Sequence, residues 1–570
     1  MDKSKVDYSL YLVTDSTEAI LGDKDLYHVV DNAISGGVTV VQYRDKTSSA
    51  GGLIETAKRL QLLCARHRVP LIINDRVDVA LAVECAGVHL GQDDMDVSTA
   101  RHLLGPGKII GATVSSVSEA FAAVKAGADY LGIGTLYATN TKKDTKSIVG
   151  IKGIRQILHH LGARGDEKSR EIKTVCIGGI HKANCQLVRY QLFAPSIPTS
   201  IPTKGIDGVA VVSAIMASPD PSLAAQGFKS ALSSPPAFVP ISVPTLPFPY
   251  LPDGALSKSH ASSLRTFLLQ ATQAVVDIHP ISHNMTNLVV QNFSANVALS
   301  VGGSPIMSNN GDEATDLARL SGGLVINMGT STPEALSNHR KAITAYNDVG
   351  NPVILDPVGA GATQTRKDAL AYLLASGYFS LIKGNEPEIM QIAVSSGLVL
   401  RLDKGSQQQQ GVDSGASHLS LQQKAALVAA LARREQNLFL MTGPVDVLSN
   451  GVTTLCISNG HRLMGAITGS GCALGTVLSI YLAAARRTRS DAFTSAVAGI
   501  VHYNIAGEMA ARKGGVDGPG TFVPAFMDAL NLYSTTVAEG DEKHMEELLN
   551  DMKIEVIQAE RGEKGLVSEA

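Results

Sequence analysis

The chain has 570 residues, 44% of them apolar and 18% charged, with 54 glycines and no tryptophan. That length exceeds what one compact core holds, and the balance excludes a disordered, collagen-like or coiled-coil chain. A formal net charge of −3 supplies no global basic field, so neither nucleic acid nor an anionic lipid surface is an expected partner.

From the N-terminus, Met1 to Lys5 lacks the apolar core of a secretion signal and leads straight into a strand-like run. Short β-branched runs follow at residues 10–13, 38–42, 71–73, 87–90, 109–113, 130–133, 174–177 and 209–212. Ala/Leu-rich helical stretches such as 51–67 and 117–126 separate them. Gly36-Gly37, Ala86-Gly87 and Ala126-Gly127 stand just before strands, where helix C-terminal glycines belong. Eight strands with intervening helices predict a (β/α)8 TIM barrel over residues 1–232, with a doubly wound sheet as the alternative.

In a barrel the functional residues gather at the C-terminal ends of the strands. Those positions hold Gln42-Tyr43-Arg44-Asp45-Lys46 after the second run, Asn74-Asp75-Arg76 after the third and Gln92-Asp93-Asp94 after the fourth. Thr113 follows the fifth, Thr139-Asn140-Thr141-Lys142-Lys143 the sixth, Gly178-Gly179 the seventh and Val212-Ser213 the eighth. Acid pairs, cations and a glycine turn at one mouth suit a Mg²⁺–polyphosphate ligand. Hard oxygens hold the metal, while Lys and Arg neutralise the remaining phosphate charge. Taken singly, Asp93-Asp94 or Gly178-Gly179 reads as an ordinary turn. The ordered register of seven strand ends makes the site.

Residues 233–252 contain seven prolines in twenty positions, which excludes helix or central strand and predicts a semi-rigid linker. Phe238, Phe248 and Tyr250 within it are costly to leave wet, so docking on a neighbour is compatible with that reading. Two polar inserts, 196–204 and 406–418, read as surface loops.

Residues 253–570 alternate β and α with different punctuation and no Walker A motif. A buried strand runs into Asp356-Pro357-Val358-Gly359-Ala360-Gly361, and another into Lys383-Gly384-Asn385-Glu386-Pro387-Glu388. Thr468-Gly469-Ser470-Gly471-Cys472 opens an apolar helix. A helix N-terminus preceded by small residues presents unpaired N–H groups and partial positive charge to a phosphoryl group. Alone, each string reads equally as tight packing or an ordinary helix cap. The apolar run 474–485 is too short to span a membrane. Six dispersed cysteines without a CxxC predict reduced thiols and a cytoplasmic protein. Residues 553–558, in the charged tail, fit an added edge strand.

The strings QYRDK (42–46), INDRVDVALA (73–82), GVHLGQDDM (87–95), ATNTKKDT (138–145), CIGGI (176–180) and GVAVVSAI (208–215) together resemble thiamine-phosphate synthase. The resemblance implies condensation of 4-amino-2-methyl-5-hydroxymethylpyrimidine diphosphate with a thiazole phosphate, releasing pyrophosphate. It implies that Gln42, Tyr43, Arg44, Asp45, Lys46, Asn74, Thr113 and Lys142 bind the pyrimidine diphosphate and that Asp75 and Asp94 hold Mg²⁺. Thr139, Asn140, Thr141, Gly179, Val212 and Ser213 would hold the thiazole phosphate. Many members carry Glu where this chain has Asp45, with the same charge. Ionisation of the pyrimidine diphosphate needs only a stabilised leaving group, a task for Mg²⁺ with Lys142 and Arg44, and no protein nucleophile.

The second half, with SHNMTN (282–287), GSPIM (303–307) and NMGT (327–330), resembles hydroxyethylthiazole kinase, a ribokinase-like α/β/α fold. The resemblance places Met307 and Gly469 on the thiazole alcohol, Lys383 and Thr442 on ATP, and Asn385 and Glu388 near Mg²⁺. Cys472 takes the catalytic position. Bacterial members often have Arg at the position of Lys383, and lysine loses the bidentate fork. A free thiol titrates near about 8.5, so a thiolate is scarce unless the helix N-terminus lowers it, and a slow kinase relying on positioning and Mg²⁺ is expected.

The two halves together resemble the fused thiamine-biosynthesis enzymes of fungi, whose small-molecule partners are the pyrimidine diphosphate, the thiazole alcohol, its phosphate and ATP. The resemblance also implies a homo-oligomer through the kinase half. Two other readings stay open. One is a bifunctional enzyme for a different phosphorylated heterocycle, or with a pyrimidine kinase as its second half. The other is a regulatory protein with a decayed barrel.

Overall fold

The computed structural model describes residues 2–137, 148–163, 165–192, 204–239, 258–400, 419–540, 542–557 and 567–569. It divides into two compact units, Met1–Pro236 and Ala237–Ala570.

The first unit is a closed barrel of eight parallel strands. These are β1 (Leu10–Val13), β2 (Val40–Tyr43), β3 (Leu71–Asn74), β4 (Gly87–Leu90), β5 (Ile109–Val114), β6 (Tyr130–Gly134), β7 (Lys173–Ile177) and β8 (Gly208–Val211). Every residue of β1, β2, β6 and β8 is buried, so these strands show no polar alternation, as a sheet covered on both faces requires. β8 closes on β1 with Leu10 opposite Val209 and Tyr11 opposite Ala210. Asp25, Ser49, Asp96, Ser116, Asp166 and Asp220 each start a helix by accepting a backbone N–H three residues on, a cap worth about 1 kcal/mol.

Two local expectations are corrected. β2 begins at Val40 rather than 38, because the Thr39 hydroxyl brackets the backbone of Leu10, accepting its N–H at 3.1 Å and donating to its carbonyl at 3.0 Å. Gly87 does not end a helix. The helix Val77–Val83 stops on Glu84 at φ +54°, and Gly87 opens β4 where a Cβ would lie 1.9 Å from the Ile109 carbonyl oxygen.

The second unit holds β9 (Ile281–Met285), β10 (Ser304–Ile306), β11 (Gly323–Asn327), β12 (Val353–Asp356), β13 (Leu381–Gly384), β14 (Leu398–Leu400), β15 (Leu438–Met441), β16 (Asp446–Ser449), β17 (Thr454–Ile457), β18 (Ile554–Val556) and β19 (Val567–Glu569). Nine of them form one sheet in the order β10-β9-β11-β12-β13-β15-β16-β17-β18, parallel through β15 and antiparallel beyond. β14 and β19 pair separately. One face packs against the helices Lys258–Ile278, Ser470–Thr488, Ala492–Arg512 and Pro519–Glu539, and the other against Pro333–Val349, Gln364–Leu374, Glu386–Ser396 and Leu421–Glu435. This is the expected α/β/α arrangement, and β18 is the edge strand expected within 553–558. The apolar run 474–485 is the core of the helix Ser470–Thr488, buried all round.

The helix Pro221–Ser233 ends where the proline-rich stretch begins. Phe238 is buried in the second unit, its ring 4.9 Å from that of Tyr378 and stacked on it. Phe248, Tyr250, residues 196–203 of the first insert, the insert 406–418, and Thr139, Asn140, Thr141 and Lys142 lie outside the described residues.

Candidate active sites

At the barrel mouth, the ends of β2, β3 and β4 carry the expected acids and cations. Asp75 stands in a left-handed conformation, φ +65°, immediately after β3, with its N–H on the His89 carbonyl at 2.8 Å. That turn brings its carboxyl against Asp94, whose own Oδ2 accepts the Gly91 N–H at 2.6 Å. Burial, then the Asp94 charge, raise the Asp75 pKa from its ordinary value, while Lys46 and Arg76 act the other way. Two carboxyl groups held together in this way fit a hard divalent cation, which replaces their repulsion with attraction. Among the described residues no group of three or more His, Cys, Asp or Glu side chains could hold a metal.

Arg44 is aimed by Asp15, a buried acid beyond β1 that sequence reasoning missed because it took strand ends from the second onward. Arg44 Nη1 lies 3.7 Å from Asp15 Oδ2, and its backbone N–H donates to Thr14 Oγ1 at 3.0 Å. Asp45 turns inward on its own loop. Its oxygens accept from Thr47, Ser48 and Tyr43. Burial raises its pKa, but these hydrogen bonds outweigh it and hold the carboxyl at about 2. Asn74 shares a cleft with Tyr43, Asp45 and Arg76. Lys46 is exposed. Gly178 and Gly179 follow β7 at φ +115° and +64°, and a Cβ on Gly178 would sit 2.4 Å from Thr135 Cγ2. Val212 and Ser213 leave the neighbouring β8, so this corner assembles as expected from adjacent strands.

In the second unit the strand ends converge on one polar cluster. Lys383, at the end of β13, is 3% exposed and lies 3.0 Å from Asp356 Oδ2 at the end of β12. Asn327, at the end of β11, donates to the same Oδ2 at 3.0 Å and reaches the Cys472 thiol. Burial lowers the Lys383 pKa, but Asp356, Cys472 and Glu388 hold the ammonium above its ordinary value. Sequence reasoning left Asp356 and Asn327 without a role, although Asp356 ends a buried strand in a glycine loop. Asp446, also buried, accepts from Gly443 N–H and Asn504, and burial pushes it to about 6.

The helix Ser470–Thr488 packs across β9, β11 and β12 and points its N-terminus at this cluster. Its first internal backbone bond comes from Ala473, which leaves the N–H groups of 470–472 without helical partners. A Cβ on Gly471 would meet open space, whereas one on Gly469, at φ +87°, would lie 2.5 Å from Val290. Cys472 is half-buried. Burial, then Asp356, push its thiol up to about 12, the opposite of the lowering a helix N-terminus alone would cause. Met307 follows the edge strand β10, which lies four strand steps from β13, roughly 19 Å at about 4.8 Å per step. Thr442 follows β15, its N–H on the Gly384 carbonyl at 2.9 Å beside Lys383.

Glu388 accepts the Gly359 N–H on Oε1 and the Asn385 N–H on Oε2, both at 2.8 Å, which ties the β12 glycine loop to the helix Glu386–Ser396. Burial, then Asp356, raise its pKa to about 7. The folded chain thus keeps a proton that the unfolded chain, titrating near 4.5, loses. Its contribution to stability falls as pH rises between those values and is flat above about 7. The variant Glu388→Gln should remove that slope, which is read as the difference between wild-type and variant urea unfolding across that pH range.

The profile of the thiamine monophosphate synthase family matches residues 10–215, and that of the hydroxyethylthiazole kinase family matches residues 272–535. The chain is 39% identical over 548 residues to the probable thiamine biosynthetic bifunctional enzyme of Schizosaccharomyces pombe, covering 95% of this chain and 97% of that protein. It is 34% identical to the thiamine biosynthetic bifunctional enzyme of Saccharomyces cerevisiae, covering 93% and 96%. The thiamine-phosphate synthase of Chloroflexus aurantiacus is 43% identical over 40% of this chain and 94% of its own length.

Proposed function

Because the chain belongs to the family of thiamine biosynthetic bifunctional enzymes, with a thiamine-phosphate synthase half and a hydroxyethylthiazole kinase half, we propose residue-level roles for the two sites. The kinase, within residues 253–570, phosphorylates 4-methyl-5-(2-hydroxyethyl)thiazole from ATP. The barrel, within residues 1–232, joins the product to the pyrimidine diphosphate, and residues 233–252 link them. The observation that carries the reading is the pairing of Asp75 with Asp94 at one set of strand ends and of Asp356 with Lys383 at the other.

In the barrel, Asp75 and Asp94 are the ligands of a divalent cation, which when bound neutralises charge on the departing diphosphate. Arg44, aimed by Asp15, and Lys46 supply cations to the same group, and the family resemblance adds Lys142. Gln42, Tyr43, Asn74 and Thr113 orient the pyrimidine, and Asp45 sets the shape of the loop that carries Arg44 and Lys46. Gly179, Val212 and Ser213, with Thr139, Asn140 and Thr141, receive the thiazole phosphate. The thiazole nitrogen then attacks the carbon that diphosphate leaves, and no side chain forms a bond to either substrate.

In the kinase, Met307 and Gly469 hold the thiazole alcohol, the N–H groups of 470–472 face the transferred phosphoryl group, and Lys383 and Thr442 meet ATP. Glu388 and Asn385 would hold Mg²⁺, which would neutralise charge on the ATP phosphates. A thiol at about 12 holds its proton at neutrality, so Cys472 orients the substrate hydroxyl and positioning carries most of the acceleration. Cys472→Asp puts an ionisable base at that point and should retain activity or raise it about tenfold. Complete loss in a folded Cys472→Asp enzyme removes the residue from the proton path.

Six free thiols and the lack, among the described residues, of any helix long and apolar enough to cross a membrane support a cytoplasmic location. Leu288 and Val289, 79% and 75% exposed beyond β9, support association of the kinase half with a second copy. The deciding experiment supplies thiazole alcohol, pyrimidine diphosphate, ATP and Mg²⁺ to the whole chain. Omitting ATP should stop thiamine phosphate formation, and preformed thiazole phosphate should restore it. Hydroxymethylpyrimidine consuming ATP in place of the thiazole alcohol would refute the kinase assignment.

A further inference from the structure

Five side chains inside the barrel form a continuous hydrogen-bonded path between two proposed pyrimidine contacts. Gln42 Nε2 meets Tyr11 Oη at 2.9 Å, and Tyr11 Oη meets Tyr130 Oη at 2.8 Å. Tyr130 Oη meets His89 Nδ1 at 2.8 Å, and His89 Nε2 meets Thr113 Oγ1 at 2.8 Å. Tyr11 and Tyr130 are each 1% exposed and Gln42 4%, so water does not substitute for these partners.

The path has a direction. An amide nitrogen only donates, so Tyr11 accepts from Gln42 and its own proton goes to Tyr130. The Tyr130 proton then goes to His89 Nδ1, which leaves the neutral imidazole with its proton on Nε2, donated to Thr113. His89 then uses one lone pair of the Thr113 oxygen, and the Thr113 proton is left available to a ligand. Two glycines make room for the rings. A Cβ on Gly111 would lie 2.1 Å from Tyr130 Cζ, and one on Gly132 would lie 2.8 Å from His89 Cε1. Strand interiors disfavour glycine, so both positions give up strand stability to seat this path.

We propose that Tyr11, Tyr130 and His89 are positioning residues of the synthase. They form a one-way relay that fixes Thr113 as a hydrogen-bond donor to an acceptor atom of the pyrimidine diphosphate. The proposal rests on the assignment of Thr113 to that substrate. A diphosphate oxygen or an unprotonated ring nitrogen offers lone pairs only, so a hydroxyl held as donor binds it without first reorganising.

The test uses the full chain, with the calorimetric melting of the barrel unit as the control of folding in each variant. The first readout is the ¹⁵N spectrum of the neutral His89 ring, expected to show a single tautomer protonated on Nε2. In Tyr130→Phe, which keeps the ring but removes the proton given to Nδ1, that tautomer should give way to a mixture. Tyr130→Phe and Thr113→Ala should each raise KM for the pyrimidine diphosphate about tenfold and leave KM for the thiazole phosphate unchanged. The double variant should be no worse than either single one. A wild-type ring protonated on Nδ1, or additive losses in the double variant, overturns the relay while leaving Thr113 on the substrate. An unimpaired Thr113→Ala overturns the substrate assignment itself and the relay's purpose with it.

Discussion

Asp75→Asn is expected to lower thiamine phosphate formation about 10³-fold, the equivalent of about 4 kcal/mol of leaving-group stabilisation, while leaving the barrel at least as stable as before. Three features combine. The residue sits at φ +65°, a conformation asparagine adopts readily, so the backbone bears no new strain. Its carboxyl faces Asp94, so the amide replaces a repulsion with a neutral contact. Its pKa is raised in the fold, so its contribution to stability falls as pH rises through the carboxylate range, and the variant should lack that fall. Mg²⁺ should stabilise the wild-type barrel by about 1.4 kcal/mol when present at tenfold above its Kd, and the variant much less. Single-turnover kinetics and calorimetry with and without Mg²⁺ read all of this. An Asp75→Asn enzyme turning over at the wild-type rate would remove the metal pair from the mechanism.

Lys383→Met should destabilise the second unit by about 3–5 kcal/mol and abolish phosphorylation, because it leaves Asp356 buried without its cation. Condensation from preformed thiazole phosphate should continue unchanged in the same chain. The double variant Lys383→Met/Asp356→Asn should regain most of the stability and none of the kinase activity, since the remaining pair is neutral and still bonded through Asn327. The chain contains no tryptophan, so calorimetry is the natural probe. A single variant that melts with the wild type would mean that the ion pair contributes nothing to the fold.

The barrel was legible because strands covered on both faces are written as short, unbroken β-branched runs, and eight of them at regular spacing leave few alternatives. The strand-end rule then located Asp75, Asp94, Arg44 and Gly179 without any contact information. What stayed hidden depends on direction rather than position. Asp45 and Lys46 are neighbours in sequence, yet one closes on its own loop and the other is exposed to solvent. Cys472 lies at a helix N-terminus, as read, but burial, then Asp356 from another element, push its thiol up. Asp356 and Lys383 were each visible as strand ends. Their pairing follows from β12 and β13 being adjacent in the sheet, which spacing along the chain does not encode. Gly87 shows the same limit in miniature, since a glycine before a strand and a glycine opening one look alike in sequence.

The vacancies at Gly111 and Gly132 carry an evolutionary consequence. Each is the imprint of a particular ring, so the glycine and its aromatic partner are under joint selection rather than separate selection. A lineage that trades Tyr130 for a small side chain opens a hole beside Gly111 that alanine or serine would profitably fill, and one that trades His89 relaxes Gly132 in the same way. Paired replacement at these two couples, rather than drift at any one of the four positions, is the historical signature such packing should leave.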